Sequence, residues 1–115
     1  TTLGWWSTLD AGLRQQVCEA LGTMGCEPHL DLIRCAFASP AHTAIIPLQD
    51  FLGLDGSQRF NRPGVAEGNW TWRFCWGDIG EGLSTSIAKL AREAGREPAL
   101  SRDKVDNAGL RFAPE

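Results

Sequence analysis

Ala44-Ile45-Ile46-Pro47-Leu48-Gln49-Asp50-Phe51-Leu52-Gly53-Leu54 decides the fold. Its apolar opening predicts one buried β-strand over 44–48, closed by the polar pair Gln49 and Asp50. Phe51-Leu52-Gly53-Leu54 suits a turn of helix ended by Asp55-Gly56. From Ser57 to Gly68 the residues Asn61, Pro63, Gly64 and Gly68 are turn chemistry, so a loop is expected. Trp70 and Trp72 follow at i, i+2. Buried strand, polar strand end, irregular loop and aromatics is the order that a ligand site on an α/β barrel requires.

Outward from this stretch the chain reads as helices. Thr1 or Thr2 can cap a first segment holding Leu3, Trp5 and Trp6, of which one tryptophan faces the core and the other an edge. Asp10 is the N-cap of a second helix over 11–21, with Leu13, Val17, Ala20 and Leu21 on one face and Gly22 and Gly25 at its end. Pro28 opens a third helix that runs to residue 38. Leu30, Ile33 and Phe37 repeat there at helical spacing, and Ser39-Pro40 stops it. Ser84 caps a last helix over 84–95, whose apolar face is Leu83, Ile87, Leu90, Ala91 and Ala94. Gly95 is its C-cap, and Lys89, Arg92 and Arg96 complement its dipole. Residues 97–115 are expected to form a loosely packed tail. A lone strand cannot pair its own backbone groups, so the sheet is expected to be incomplete within these 115 residues.

Composition narrows the function classes. The chain is 43% hydrophobic and 22% charged with net charge −3, an ordinary globular balance spread over a single domain or a piece of one. Its lysines and arginines are scattered, which disfavours a nucleic-acid partner, since phosphate neutralisation needs clustered positive charge. No apolar run has the length of a membrane span, and no signal peptide opens the chain. Cys18, Cys26, Cys35 and Cys75 form no C-x-x-C pair. A zinc site would need closer ligands, with His29 or His42 assisting. The plainer reading is four reduced thiols used as small apolar side chains in a cytoplasmic protein.

Three sub-motifs in fixed order carry a family resemblance. They are Ile45-Ile46-Pro47-Leu48-Gln49-Asp50-Phe51-Leu52-Gly53-Leu54, Arg59-Phe60-Asn61-Arg62-Pro63-Gly64, and Gly68-Asn69-Trp70-Thr71-Trp72-Arg73. Together they resemble the C-terminal part of the 4-α-glucanotransferases, the amylomaltases or disproportionating enzymes of glycoside hydrolase family 77. Thr1-Thr2-Leu3-Gly4-Trp5-Trp6 resembles the segment after that family's Thr-His-Asp-Asn-Asp motif, and Leu83 to Arg96 its closing helix. The resemblance covers residues 1–96. It implies an α/β fold, the C-terminal part of a (β/α)8 TIM barrel with 44–48 as the eighth strand and helices 11–21 and 29–38 outside it. Its partners would be maltooligosaccharides or other α-1,4-glucans and the rest of the barrel, from the same chain or a complementing half.

The chemistry implied is retaining transglycosylation by double displacement. The family's catalytic carboxylates fall upstream of Thr1, so this chain is expected to supply scaffold and substrate contacts. The family's Arg-Met-Asn-x-Pro-Gly loop presents its Asn to glucan. That position is Asn61 here, beside Pro63 and Gly64, with Phe60 where Met is usual. Gln49 and Asp50 join the candidate substrate-binding residues by strand-end position, although Asp50 equally suits a cap for the following turn or a partner for Arg59. Trp70 and Trp72 fit stacking on sugar, and more often packing against the protein body. His42 reads as structural and His29 as solvated. Asp50, Asp55, Glu67, Asp78 and Glu81 show no spacing that sets two carboxylates the ~5–5.5 Å apart that retaining chemistry needs. The alternative is a freestanding carbohydrate-binding or interaction module without catalysis, supported by the aromatic and Asn-rich loop over 59–73.

Overall fold

Caps and breakers in the sequence set the helix limits in the computed structural model, which describes residues 1–97. Five α-helices form among the described residues: α1 (Thr2–Thr8), α2 (Ala11–Leu21), α3 (Pro28–Ala38), α4 (Leu48–Phe51) and α5 (Leu83–Glu93). Single 3-10 turns lie at Gly56–Gln58 and Trp76–Asp78. The hydroxyl of Thr1 accepts the Gly4 N–H at 3.2 Å and starts α1. Asp10 accepts the Leu13 N–H at 2.8 Å and starts α2, the N-cap expected of it. Gly22, at φ 65°, ends α2 in the left-handed conformation that glycine adopts without a Cβ clash. Pro28 occupies the first turn of α3, and Ser39 closes that helix as anticipated.

Packing centres on α3, which touches α1, α2, α4 and α5. Ile33 on α3 is 2% exposed and, with Pro28 at the start of that helix, is buried. Its burial contributes roughly 1.5–3 kcal/mol. The rings of Phe37 and Phe51 meet edge to face at 6.4 Å and join α3 to α4. The start of α2 is tied to the end of α1 by Arg14, whose Nε donates to the Trp6 carbonyl at 3.2 Å. Its guanidinium also lies 5.7 Å from the Trp6 ring centroid. Trp6 is half-buried and Trp5 exposed, the division expected of the pair.

Several expectations change here. No strand forms among the described residues: 43–47 are irregular, Ile45 is 87% exposed, and Leu48 opens α4 instead of ending a strand. The physical reason is the one that made the lone strand suspect, since its amides and carbonyls meet no neighbouring backbone. Phe51 therefore ends a helix that begins three residues earlier than its turn was placed. Helix α5 starts at Leu83 behind Gly82, with no side-chain cap, so Ser84 lies inside it. Arg96 serves a different helix from its own. Its guanidinium donates to the carbonyls of Phe37, Ser39 (2.9 Å) and Ala41 (2.8 Å), satisfying the end of α3 and locking α5 against it. The apolar face of α2 is only partly covered, Leu13 remaining 46% exposed.

His29, expected in solvent, is half-buried, and its Nδ1 has no hydrogen-bond partner. Its ring lies so close to Gly53 that a Cβ there would sit 3.2 Å from Nε2. His42 is exposed. All four cysteines are free, as read, but Cys26, Cys35 and Cys75 are exposed, so only Cys18 acts as a packed small side chain. The tail expectation concerns 97–115, of which 98–115 lie outside the described residues. No helix among the described residues is long and apolar enough to cross a membrane.

Candidate functional site

The site is built where α1 meets the loop that follows α4. Gly4 makes this contact possible: a Cβ on it would lie 2.6 Å from the Gly56 Cα, so only glycine lets the two backbones approach. Two adjoining cavities open beside the contact. The larger, about 620 Å³, is lined by Thr1, Trp5 and Thr8 on one side and by Arg59, Arg62, Pro63 and Val65 on the other. The smaller, about 220 Å³, is lined by Thr1, Pro47, Gln49, Arg59, Phe60 and Asn61. Thr1 and Arg59 belong to both. The larger volume lies in the range of small-ligand sites.

The loop holds its shape through one asparagine. Asn69 Oδ1 accepts the Arg62 N–H at 2.7 Å, and its Nδ2 donates to the Val65 carbonyl at 2.7 Å. This clamp closes the turn that carries Pro63 and Gly64, with Gly64 at φ 81°. The base of the loop is joined by the Trp70 N–H, which donates to the Phe60 carbonyl. Trp70 itself sits at φ 63°, a strained conformation for a bulky residue. Its ring, 63% exposed, lies 5.2 Å from that of Phe60. Trp72 is instead half-buried, and its Nε1 donates to Gln58 Oε1 at 3.0 Å. One tryptophan of the pair packs and the other faces outward.

The five candidate residues separate by place. Asn61 and Gln49 share the smaller cavity, and Pro63 lines the larger. Gly64 lines neither cavity and acts as the turn that brings Pro63 round. Gln49 is 2% exposed, its Nε2 reaching the Gln58 carbonyl at 3.5 Å. Asp50, 9% exposed, lines neither cavity, and its Oδ1 accepts the Thr2 N–H at 2.7 Å. The cap anticipated for Asp50 therefore acts on α1, 48 residues away in sequence, and no Arg59 ion pair forms. Thr1, Trp5, Thr8, Arg59 and Arg62 were not among the candidates. The first three sit at i, i+4, i+7, one face of α1, and that spacing was the available signal.

Chemically, the lining pairs neutral hydroxyl and amide groups with two guanidiniums and aromatic surface. An amide such as Asn61 both donates and accepts, which matches a ligand rich in hydroxyls. Neither of these two cavities is lined by a carboxylate, so their walls offer groups for binding and orientation. Among the described residues no cluster of three His, Cys, Asp or Glu is placed to hold a metal ion.

Known proteins are similar in sequence to this chain. The profile of the family described as 4-alpha-glucanotransferase matches residues 1–77. A chloroplastic/amyloplastic 4-alpha-glucanotransferase of Arabidopsis thaliana is 40% identical over 97 residues, which is 84% of this chain and 16% of that protein. The 4-alpha-glucanotransferase of Synechocystis is also 40% identical over 97 residues, covering 84% of this chain and 19% of that protein. That of Thermus thermophilus is 29% identical over 102 residues, 84% of this chain and 20% of its own length. The chain thus spans a fifth or less of these relatives. The profile match takes in every cavity-lining residue from Thr1 to Val65, and on that match the chain belongs to the 4-alpha-glucanotransferase family, glycoside hydrolase family 77.

Proposed function

We propose that this chain is the C-terminal portion of a 4-α-glucanotransferase that moves α-1,4-glucan segments between maltooligosaccharides with retention of anomeric configuration. The observation that carries the reading is Asn61, Gln49 and Arg59 in one carboxylate-free cavity within the family-matched segment. In this reading 44–48 is the last strand of a (β/α)8 barrel and gains neighbouring strands from the rest of the protein. The outward Ile45 and the alternation of half-buried and exposed residues over 44–48 support it. The catalytic carboxylates come from outside these residues. Asn61 and Gln49 hold sugar hydroxyls, while Pro63 and Gly64 shape the loop edge. No metal or organic cofactor takes part. The substrates fit starch- or glycogen-derived glucans, and the reduced thiols favour the cytoplasm. The Arabidopsis relative is named chloroplastic, so compartment is a property to measure for each protein.

The test is maltotriose disproportionation by the full-length protein carrying this chain. Wild type forms glucose together with longer maltooligosaccharides. Asn61→Ala raises KM about five-fold with kcat within about two-fold, the effect of one neutral hydrogen bond. Glucose without longer products, or an unchanged KM, would refute the transferase or the Asn61 role respectively. A second reading, a freestanding sugar-binding module, is favoured by the exposed rings of Trp70, Phe74 and Trp76. Tryptophan emission of the 115-residue chain against urea separates the two. A cooperative transition shifted upward by maltooligosaccharide supports the module, and a broad, sugar-insensitive drift supports the barrel portion.

A further inference from the structure

We infer that Asp50 is a positioning residue for this cavity pair, acting on the ligand through Thr1 without touching it. The inference rests on the reading of the cavities as glucan-binding. Asp50 is almost wholly buried, yet no cation neutralises it among the described residues. Among the described residues its carboxylate makes one hydrogen bond, the 2.7 Å contact from the Thr2 N–H. A buried carboxylate receiving a backbone N–H is a strong, directional hydrogen bond. Burying that charge is expensive without such a partner, so the contact fixes the two backbones together. The backbone held this way is the Thr1–Thr2 peptide, immediately before the first turn of α1.

Thr1 is the residue that this bond places. It lines both cavities, and its hydroxyl is held by the Gly4 N–H at 3.2 Å. Three residues along, Gly4 rests on Gly56 with no room for a side chain. On the other side of the junction Gln49, adjacent to Asp50 on α4, lines the smaller cavity. Asp50 therefore sets the distance between the α1 wall, which carries Thr1, Trp5 and Thr8, and the α4 wall, which carries Gln49. A carboxylate that held sugar directly would line a cavity, and Asp50 lines neither.

The experiment uses the full-length protein carrying this chain, with Asp50→Asn and Asp50→Ala. Readouts are KM and kcat on maltotriose, and hydrogen exchange of the peptide covering Thr2–Trp5. Asparagine keeps an acceptor oxygen but loses the charge, whereas alanine removes both. Asp50→Asn raises KM about two- to three-fold and speeds Thr2–Trp5 exchange, and Asp50→Ala raises KM about ten-fold with faster exchange still. The graded pair, with both readouts moving together, supports positioning. Equal loss in the two variants with exchange unchanged means direct sugar contact and overturns it. Unchanged KM in Asp50→Asn also overturns it, so the proposal is decided even where Asp50→Ala does not fold. Failure of the glucan reading shows separately, as wild type that does not disproportionate maltotriose.

Discussion

The helical region up to Leu54 and the loop region from Asp55 to Gly82 are built on different physics. In the first, caps set the helix ends and α3 gathers the packing, with Ile33, Gln49 and Asp50 sealed from solvent. In the second, no residue is buried and the chain is held by side chains reaching backbone groups: Asn69 to Arg62 and Val65, and Asp55 to Ser57. Gln58 stands at the seam, its carbonyl facing Gln49 and its side chain facing Trp72. The cavities lie along this seam, so a rigid wall from α1 and α4 faces a wall that a few hydrogen bonds shape. On the proposed glucan reading, the first wall would fix register and the second adjust to successive sugars.

Breaking the helical side should produce the largest effect. Ile33→Ala in the full-length protein truncates the buried Ile33 side chain at the α3 hub, and such truncations cost about 2–5 kcal/mol. The expected readout is a lower urea midpoint with KM per folded molecule unchanged, because Ile33 lines neither cavity. A midpoint within error of wild type would show that the hub is not where stability resides.

Breaking the loop side should do the reverse. Asn69→Ala frees the Arg62 N–H and the Val65 carbonyl, both near solvent, at a cost of about 1 kcal/mol confined to the loop. The urea midpoint should hold while KM for maltotriose rises about three-fold, as Pro63 and its neighbours lose their set position. A midpoint shift comparable to that of Ile33→Ala would erase the distinction between the two regions.

How far each region was legible follows from the same contrast. Helices are local objects, so Asp10, Gly22, Pro28 and Ser39 announced α2 and α3 from neighbours a few residues away. The contacts that matter to the cavities are non-local. Nothing near Asp50 reveals that its carboxylate reaches Thr2, and nothing near Arg96 reveals that it closes α3. Asn61, Pro63 and Gln49 were chosen by motif and position, and all three line the cavities. Arg59 lay outside the candidates because a lone Arg in a loop carries no periodic signal, whereas Thr1 shares the i, i+4, i+7 spacing with Trp5 and Thr8 that went unread. The strand over 44–48 was read from its apolar run, but a strand is defined by its partners, and those are not among the described residues.

The smallest expected effect tests whether the loop side draws any strength from charge. Asp55 caps the 3-10 turn at Gly56–Gln58, its Oδ1 accepting the Ser57 hydroxyl at 2.6 Å and the Ser57 N–H at 2.8 Å. The hydroxyl bond first, and the backbone bond second, hold its carboxyl below the usual aspartate range, slightly opposed by desolvation. A carboxyl that ionises more readily folded than unfolded adds stability wherever both states are ionised. That contribution is present above the ordinary aspartate pKa of about 4 and vanishes as pH falls through the lowered folded value. Solvent reaches Asp55 freely, so screening keeps the contribution small. Asp55→Asn should therefore lower the thermal midpoint slightly at pH 7, and the gap from wild type should shrink as pH drops below 4. A gap that stays constant into acid would assign the cap to the shape of the side chain instead of its charge. The loop would then be held by neutral hydrogen bonds alone, with Gly56 kept against Gly4 by close backbone contact.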